Sequence, residues 1–261
     1  MNTSALFQKT LVSLFCFLSI ATNQTKAQFD PSTGLWYKDS VDKWEDALPI
    51  GNGRLGGMYF GNVHTDRLQF NEDTYWSGGP YSTVKKGGYK VLPQLQQLLF
   101  EKKFVEGHLL FGKHLLGNPV EQQKYQNMGN MVLQFNHTDP ISYYRRTLDF
   151  STGIASIRYE HKGVTYTREL FSSYPDQAIV MRISSNKAGS IDLQAELQGV
   201  RNQTHSNYAT DYFSMEVIDS KQLKLSGKSA DYLGVKGQLH YEARLVARVK
   251  GGTTKKDCTV H

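Results

Sequence analysis

The sequence predicts a mainly β protein built from packed antiparallel sheets, with a short helical insertion at about residues 93–116. Three observations carry this prediction. Apolar and polar residues alternate along most of the chain, one stretch repeats at helical spacing, and strands do not alternate with helices as in a parallel sheet. The 15 Tyr, 13 Phe and 3 Trp residues supply enough apolar surface for a folded core.

The first 27 residues have the pattern of a signal peptide. Lys9 gives a positive start, residues 11–20 form an apolar run too short to span a bilayer, and small residues flank a cleavage point before Gln28. A membrane anchor is the alternative interpretation, and lipid attachment at Cys16 is disfavoured because a bulky residue precedes it. Residues 28–261 are therefore expected to be secreted or periplasmic.

The charge of the chain bears on its possible partners, and its cysteine content bears on how the fold is stabilised. The formal net charge of +6 becomes +4 in the processed chain, because two of the 30 basic residues, Lys9 and Lys26, lie in the leader and all 24 acidic residues remain. The basic residues are scattered, which disfavours a nucleic acid partner. Cys258 is the one cysteine left after cleavage, so an intrachain disulfide is excluded and a sizeable core is expected instead.

The strands are expected in a regular succession. A short strand at residues 35–38 is followed by a glycine- and proline-containing loop at 39–54, and then by two alternating strands around a turn at 62–66. Further strands are predicted at residues 131–135, 154–159, 164–171, 177–183, 191–197 and 239–249. The pattern at 250–253 is that of a hairpin turn whose return strand begins near Cys258, so the domain spanning 28–261 is expected to be incomplete at its C-terminus.

The helical insertion is predicted from apolar spacing. The residues that recur at helical intervals are Leu95, Leu98, Leu99, Phe104, Phe111 and Leu115. Pro93 stands near the start, where its missing N–H costs nothing, and Gly117 follows the end. Two short helices broken near Glu101 and Lys102 are expected.

The motifs that usually carry cofactor chemistry are weak or absent. Residues 51–56 (GNGRLG) match the dinucleotide pattern, but a loop is expected before them and a strand after them, so phosphate would not meet a helix N-terminus. The histidines form neither HxH nor HExxH, and no cysteine pair exists. We therefore expect no cofactor and no metal.

Paired carboxylates and exposed aromatics are the features relevant to carbohydrates. A glycosidase needs two carboxyl groups about 5 to 9.5 Å apart on opposite sides of one bond. Glu72 and Asp73 are adjacent on extended chain and point to opposite faces, as do Glu45 and Asp46, so no catalytic residue is assigned. The aromatic residues of the first third are Trp36, Tyr37, Trp44, Tyr75, Trp76 and Tyr81. They suit either sugar stacking or core packing.

A set of collinear segments resembles a known family. Residues 48–56 (LPIGNGRLG) and 69–80 (QFNEDTYWSGGP) are similar to the N-terminal domain of family 95 glycoside hydrolases, the inverting α-L-fucosidases and some α-L-galactosidases. Further matching segments follow at 124–130, 144–149, 164–169 and 173–176.

The resemblance implies a fold and a set of partners. Such enzymes consist of a large antiparallel β super-sandwich, a helical linker, an (α/α)6 barrel and a C-terminal β domain, and their catalytic groups lie in the barrel. This chain ends before the barrel, so the expected partners are a catalytic barrel, in cis or separately encoded, and a fucosylated glycan. No nucleic acid is expected as a partner, and no membrane after signal cleavage.

The resemblance also points to one loop at the rim of the sugar pocket. It implies that Thr74 hydrogen-bonds a sugar hydroxyl, with Asn71, Glu72 and Trp76 shaping the loop. The alternative is that Asn71 and Asp73 cap a turn and Trp76 packs between domains. The function implied is that of a non-catalytic domain of a secreted α-L-fucosidase-like enzyme. A self-standing carbohydrate-binding protein and a purely structural sandwich are the rival readings.

Overall fold

The computed structural model describes residues 29–138, 140–200 and 213–255. The predicted signal peptide and the predicted return strand near Cys258 lie outside these ranges. None of the helices in the described part of the chain is long and apolar enough to cross a bilayer.

Within the described residues the fold consists of three antiparallel sheets, which confirms the mainly β prediction. The first sheet has the strand order β1 (Gly34–Tyr37), β6 (Ile141–Asp149), β7 (Ile154–His161), β8 (Val164–Ser173), β9 (Ala178–Ser185). The second has the order β10 (Leu193–Gln198), β5 (Gly129–Phe135), β4 (Thr65–Glu72), β3 (Leu55–Tyr59), β2 (Leu48–Gly51). The third consists of β11 (Phe213–Asp219), β12 (Gln222–Lys228) and β13 (His240–Val246).

The core lies between the first two sheets and follows from strand alternation. In β7, Ala155, Ile157 and Tyr159 are buried while the residues between them are more exposed, because successive side chains of a strand point to opposite faces. They pack with Leu48 and Leu68 of the second sheet in one apolar cluster. The two sheets therefore form a sandwich.

A buried ion pair joins the two layers. Nη1 of Arg168 on β8 lies 2.7 Å from Oδ2 of Asp66 on β4, and both side chains are almost fully buried. The guanidinium also donates to the carbonyl oxygens of Asn62 and Val63 and to the hydroxyl of Tyr159. Backbone N–H groups from the β3–β4 turn satisfy the carboxylate. Arg168 thus fixes the β3–β4 turn against the first sheet.

The predicted helical insertion is confirmed as two α-helices, α1 (Leu92–Phe100) and α2 (Phe104–His114). Pro93 lies in the first turn of α1, and Lys102, with φ of 59°, reverses the chain between the helices. Short 3-10 helices occur at Pro31–Thr33, Trp44–Asp46 and Gly88–Val91.

Strands β6, β11 and β12 were not predicted from the sequence, and two further predictions differ from the structure. The loop expected at 39–54 contains strand β2, in which Leu48 and Ile50 point into the core. Its Pro49 is exposed, and β2 lies at the edge of its sheet, where proline is tolerated because no ladder N–H is needed. The last predicted strand, 239–249, is shorter, since β13 ends at Val246.

Candidate functional site

The loop around Thr74, which the sequence analysis identified as a candidate sugar-binding loop, begins at the end of β4. Glu72 is the last residue of β4, and the backbone N–H of Tyr75 donates to the carbonyl oxygen of Glu72 at 3.1 Å, which closes a turn. Asp73 and Thr74 at the tip of this turn are exposed. The candidate loop is defined here as residues 71–80.

Glu72 is the centre of a polar cluster at the start of this loop. Its Oε2 accepts hydrogen bonds from the Thr74 hydroxyl at 2.6 Å and the Thr74 backbone N–H at 2.9 Å. Its Oε1 accepts one from Nε of Arg54 at 2.9 Å. Burial acts to raise the pKa of Glu72, but these hydrogen bonds outweigh it, so the pKa of the carboxyl lies below its usual value. The structure therefore brings Thr74 and Glu72 together, with Glu72 ionised.

The glycine motif supplies the partner of Glu72. Residues 52–54 form the turn between β2 and β3, and Oδ1 of Asn52 accepts hydrogen bonds from the backbone N–H groups of Arg54 and Leu55. A strand thus precedes the motif, contrary to the expected loop, and the predicted strand follows it. The context that a phosphate site requires, a helix N-terminus after the glycines, is replaced by a β-hairpin.

The β8–β9 turn meets this hairpin from the other sheet. Nδ2 of Asn52 donates to the carbonyl oxygen of Ser173 at 2.7 Å, and Nη1 of Arg54 donates to Oε1 of Gln177 at 3.2 Å. Gln177 in turn donates to the carbonyl oxygen of Tyr174, whose ring is exposed. The site therefore includes turns from both layers of the sandwich.

Trp76 is held between the loop and a neighbouring segment. Its Nε1 donates to the carbonyl oxygen of Asp73 at 3.0 Å, and its ring lies 5.2 Å from the ring of Tyr125. The Tyr125 hydroxyl donates to the carbonyl oxygen of Glu72. Trp76 is half-buried, and both of these contacts are made within the loop and its neighbouring segment.

The second half of the loop is anchored to the chain around the third sheet. The hydroxyl of buried Tyr75 donates to the carbonyl oxygen of Lys228, and its ring packs edge-on against Tyr241 at 4.9 Å. The backbone N–H of Gly78 donates to the carbonyl oxygen of Ala230 at 2.7 Å. These contacts anchor the second half of the loop, while the Asp73–Thr74 tip is exposed.

Asn71 has a packing role at the base of the loop. A Cβ at Gly56, its partner across β3 and β4, would come within 2.7 Å of Oδ1 of Asn71. Glycine at this position gives the amide room beside β3. Asn71 thus stands next to the site, half-buried, rather than at its exposed tip.

Sequence reasoning did not assign Arg54, Asn52, Gln177, Tyr174 or Tyr125 to the site. Arg54 and Asn52 belong to the glycine motif at residues 51–56, which matches a dinucleotide-binding pattern. Their proximity to Glu72 depends on the register of β3 and β4, which pairs Leu55 with Glu72.

In the described ranges, no group of three or more His, Cys, Asp or Glu side chains is arranged to hold a metal ion.

A protein-family model described as "Glycosyl hydrolase family 65, N-terminal domain" matches residues 35–260. The chain belongs to this family. The expected N-terminal domain of a glycoside hydrolase is thereby confirmed, although the family number in this description is 65 and the segments resembled family 95.

Curated relatives of this family member are α-fucosidases. The chain is 36% identical to Alpha-L-fucosidase 2 of Arabidopsis thaliana over 58% of this chain and 18% of the relative. It is 34% identical to Probable alpha-fucosidase A of Aspergillus niger over 61% of this chain and 21% of the relative. The protein of the same name from Aspergillus oryzae is 27% identical, over 59% and 22%. The matched region thus spans about a fifth of the length of these relatives.

Proposed function

We propose that this chain is the N-terminal, non-catalytic β-sandwich domain of a secreted α-L-fucosidase-like glycoside hydrolase. The observation that carries the proposal is the family match over residues 35–260 together with relatives named as α-fucosidases. The parent enzyme hydrolyses fucosyl linkages in glycans, and this domain packs on its catalytic barrel.

The geometry of the candidate loop supports a role at the rim of the sugar pocket. The Thr74 hydroxyl donates to Glu72, so its lone pairs are available to accept a hydrogen bond from a sugar hydroxyl. Arg54 is more than half exposed and offers further N–H donors beside it. The hydrogen bonds that hold this loop reduce the conformational freedom it can lose on binding, which favours its use in recognition.

The state of Glu72 supports a non-catalytic role. A general acid of a glycosidase is protonated before it acts, which requires a raised pKa. Thr74 and Arg54 instead lower the pKa of Glu72 and occupy both of its oxygens. Glu72 is therefore better suited to holding the loop than to protonating a leaving group.

The proposal is tested with a chimaera in which residues 29–261 replace the matching segment of the Arabidopsis relative. We expect it to release fucose from 2′-fucosyllactose. Thr74→Ala should raise KM about 2- to 10-fold, the effect of losing one hydrogen bond. The matched control is Thr65→Ala, an exposed threonine at the other end of β4, about 23 Å away by strand rise.

Three results would contradict the proposal. A well-folded chimaera without activity would show that this domain does not serve a fucosidase. Saturable binding of 2′-fucosyllactose by the isolated chain, with an affinity equal to that of the chimaera, would favour a self-standing carbohydrate-binding protein. Equal effects of Thr65→Ala and Thr74→Ala on the KM of the chimaera would show that the candidate loop does not lie at the sugar pocket.

A further inference from the structure

The α1–α2 hairpin exposes several large apolar side chains. Phe100 is 85% exposed, Val105 72%, Leu109 66% and Phe104 62%. No residue of α1 is buried, and in α2 Gly107 is the one buried position. Contiguous exposed apolar side chains of this size mark an interaction site in soluble proteins.

The two helices use a different face to pack on each other. Gly107 lies where the helices approach most closely, since a Cβ there would come within 3.5 Å of Leu95 and Leu99. These leucines form the internal seam of the hairpin. Val105 and Leu109 lie on the side of α2 opposite Gly107 by helical spacing, and Phe100 and Phe104 are exposed at the connection between the helices. These four side chains are the second apolar face of the hairpin, which needs a partner.

We propose that this second face is the surface by which the domain docks onto the part of the glycosidase that the curated relatives have beyond the matched region. The inference rests on the proposed function and adds the surface that carries out the packing. The relatives leave ample chain to cover it, because the match spans 18% to 22% of their length. A hairpin of two helices also fits best against other helices, through ridges that enter grooves.

The hairpin is connected to the candidate loop. The chain runs from the loop into the hairpin through residues 81–91, and the backbone N–H of Asn118, just after α2, donates to the carbonyl oxygen of Thr83 at 3.0 Å. The Lys85 ammonium donates to the carbonyl oxygen of Lys113. The base of the hairpin is thus tied to the segment that leaves the loop, so docking on the hairpin would also fix the position of the loop.

Charge defines the partner surface more closely. Exposed lysines occur in the hairpin and in the segment that leads into it, at Lys86, Lys90, Lys102 and Lys113. Of the two acids in the hairpin, Glu101 is paired with Lys103 at 2.7 Å. The complementary surface is therefore an apolar groove between helices with an acidic rim.

Thiol labelling tests the proposal in the same chimaera. In a Cys258→Ser background, Phe104→Cys and Phe150→Cys each introduce one new thiol at positions of matched exposure, 62% and 61%. Labelling is measured on the peptide that contains the introduced cysteine, so cysteines from the relative do not contribute to the signal. Both thiols should react with a maleimide at similar rates in the isolated chain. In the active chimaera we expect Phe104→Cys to react at least about tenfold more slowly, while Phe150→Cys changes less than about twofold.

The outcomes separate this inference from the proposed function. An active chimaera in which Phe104→Cys still reacts as fast as in the isolated chain overturns the docking surface and leaves the proposed function intact. A folded but inactive chimaera overturns the proposed function and the inference with it. Protection of Phe104→Cys in the isolated chain that increases with protein concentration would show that a second copy covers the hairpin, which also overturns the proposal.

Discussion

Replacing Arg168 tests whether its buried ion pair with Asp66 stabilises the packing of the two sheets. Arg168→Met preserves most of the apolar stem but leaves Asp66 buried without its counter-charge. Breaking one partner of a buried pair costs about 3–5 kcal/mol. For a domain of this size, that corresponds to a decrease in Tm of about 6–20 °C.

The matched control is Arg244→Met on β13. Arg244 also contacts a carboxylate, with Nε 2.6 Å from Oε1 of Glu242, but both side chains are about half exposed. An exposed pair contributes at most about 1 kcal/mol, so this variant should unfold almost as the wild type does. The measurement is urea unfolding followed by circular dichroism.

The pH dependence of the Arg168 variant gives a second readout. Burial raises the pKa of Asp66 while Arg168 opposes that shift. Without Arg168 the folded state favours the protonated carboxyl, so the deficit in unfolding free energy is largest above the raised pKa of Asp66 and decreases as pH falls towards the usual value of 3.8. Equal unfolding free energies for Arg168→Met and Arg244→Met would refute the reasoning.

Two further predictions concern the pH dependence of stability and the packing of glycines. Burial, His161 and Arg168 lower the pKa of His137 to about 4 from its usual 6.5. The stability that this shift contributes is therefore present above pH 6.5 and lost as pH falls towards 4. In thermal melts, the Tm of His137→Phe should decrease less over this pH range than the Tm of the wild type. The control His108→Gln, at an exposed helix position, should behave as the wild type does. Gly129→Ala should destabilise the domain by about 1–3 kcal/mol, because its Cβ would lie 2.6 Å from the carbonyl oxygen of Gln198 and from Leu225. A Cβ at Gly112 in α2 would have its nearest neighbouring atom at 3.9 Å, so Gly112→Ala should raise the free energy of unfolding in urea by up to about 1 kcal/mol. Stabilisation by Gly129→Ala together with destabilisation by Gly112→Ala would contradict the packing of these glycines.

Most strands and the two α-helices could be predicted from the sequence because an element with one buried face repeats its apolar residues at a fixed spacing. The alternation in β7 and β8 and the helical spacing of Leu95, Leu98 and Leu99 each reflect one face against a neighbour. Strand β2 was missed because it is four residues long and contains Pro49 and Gly51, which are typical of loops.

The candidate site could be predicted only in part. Thr74 and Glu72 lie two residues apart and their contact is local, so the loop could be identified from the chain itself. The contribution of Arg54 depends on the register of β3 and β4, and that of Gln177 on the packing of the two sheets. Periodicity does not determine either, because register and sheet packing are set by contacts between distant segments.

The most direct test of the central claim is the activity of the isolated chain. Purified residues 29–261 are incubated with 2′-fucosyllactose and an aryl fucoside, beside the Arabidopsis relative as positive control, and released fucose is measured. The account predicts no turnover, because hydrolysis with inversion needs an acid and a base on opposite sides of the bond, each contributing about 10² to 10⁴ in rate. Turnover that co-purifies with the chain and disappears in Glu72→Gln would contradict the account and place the active site in this domain.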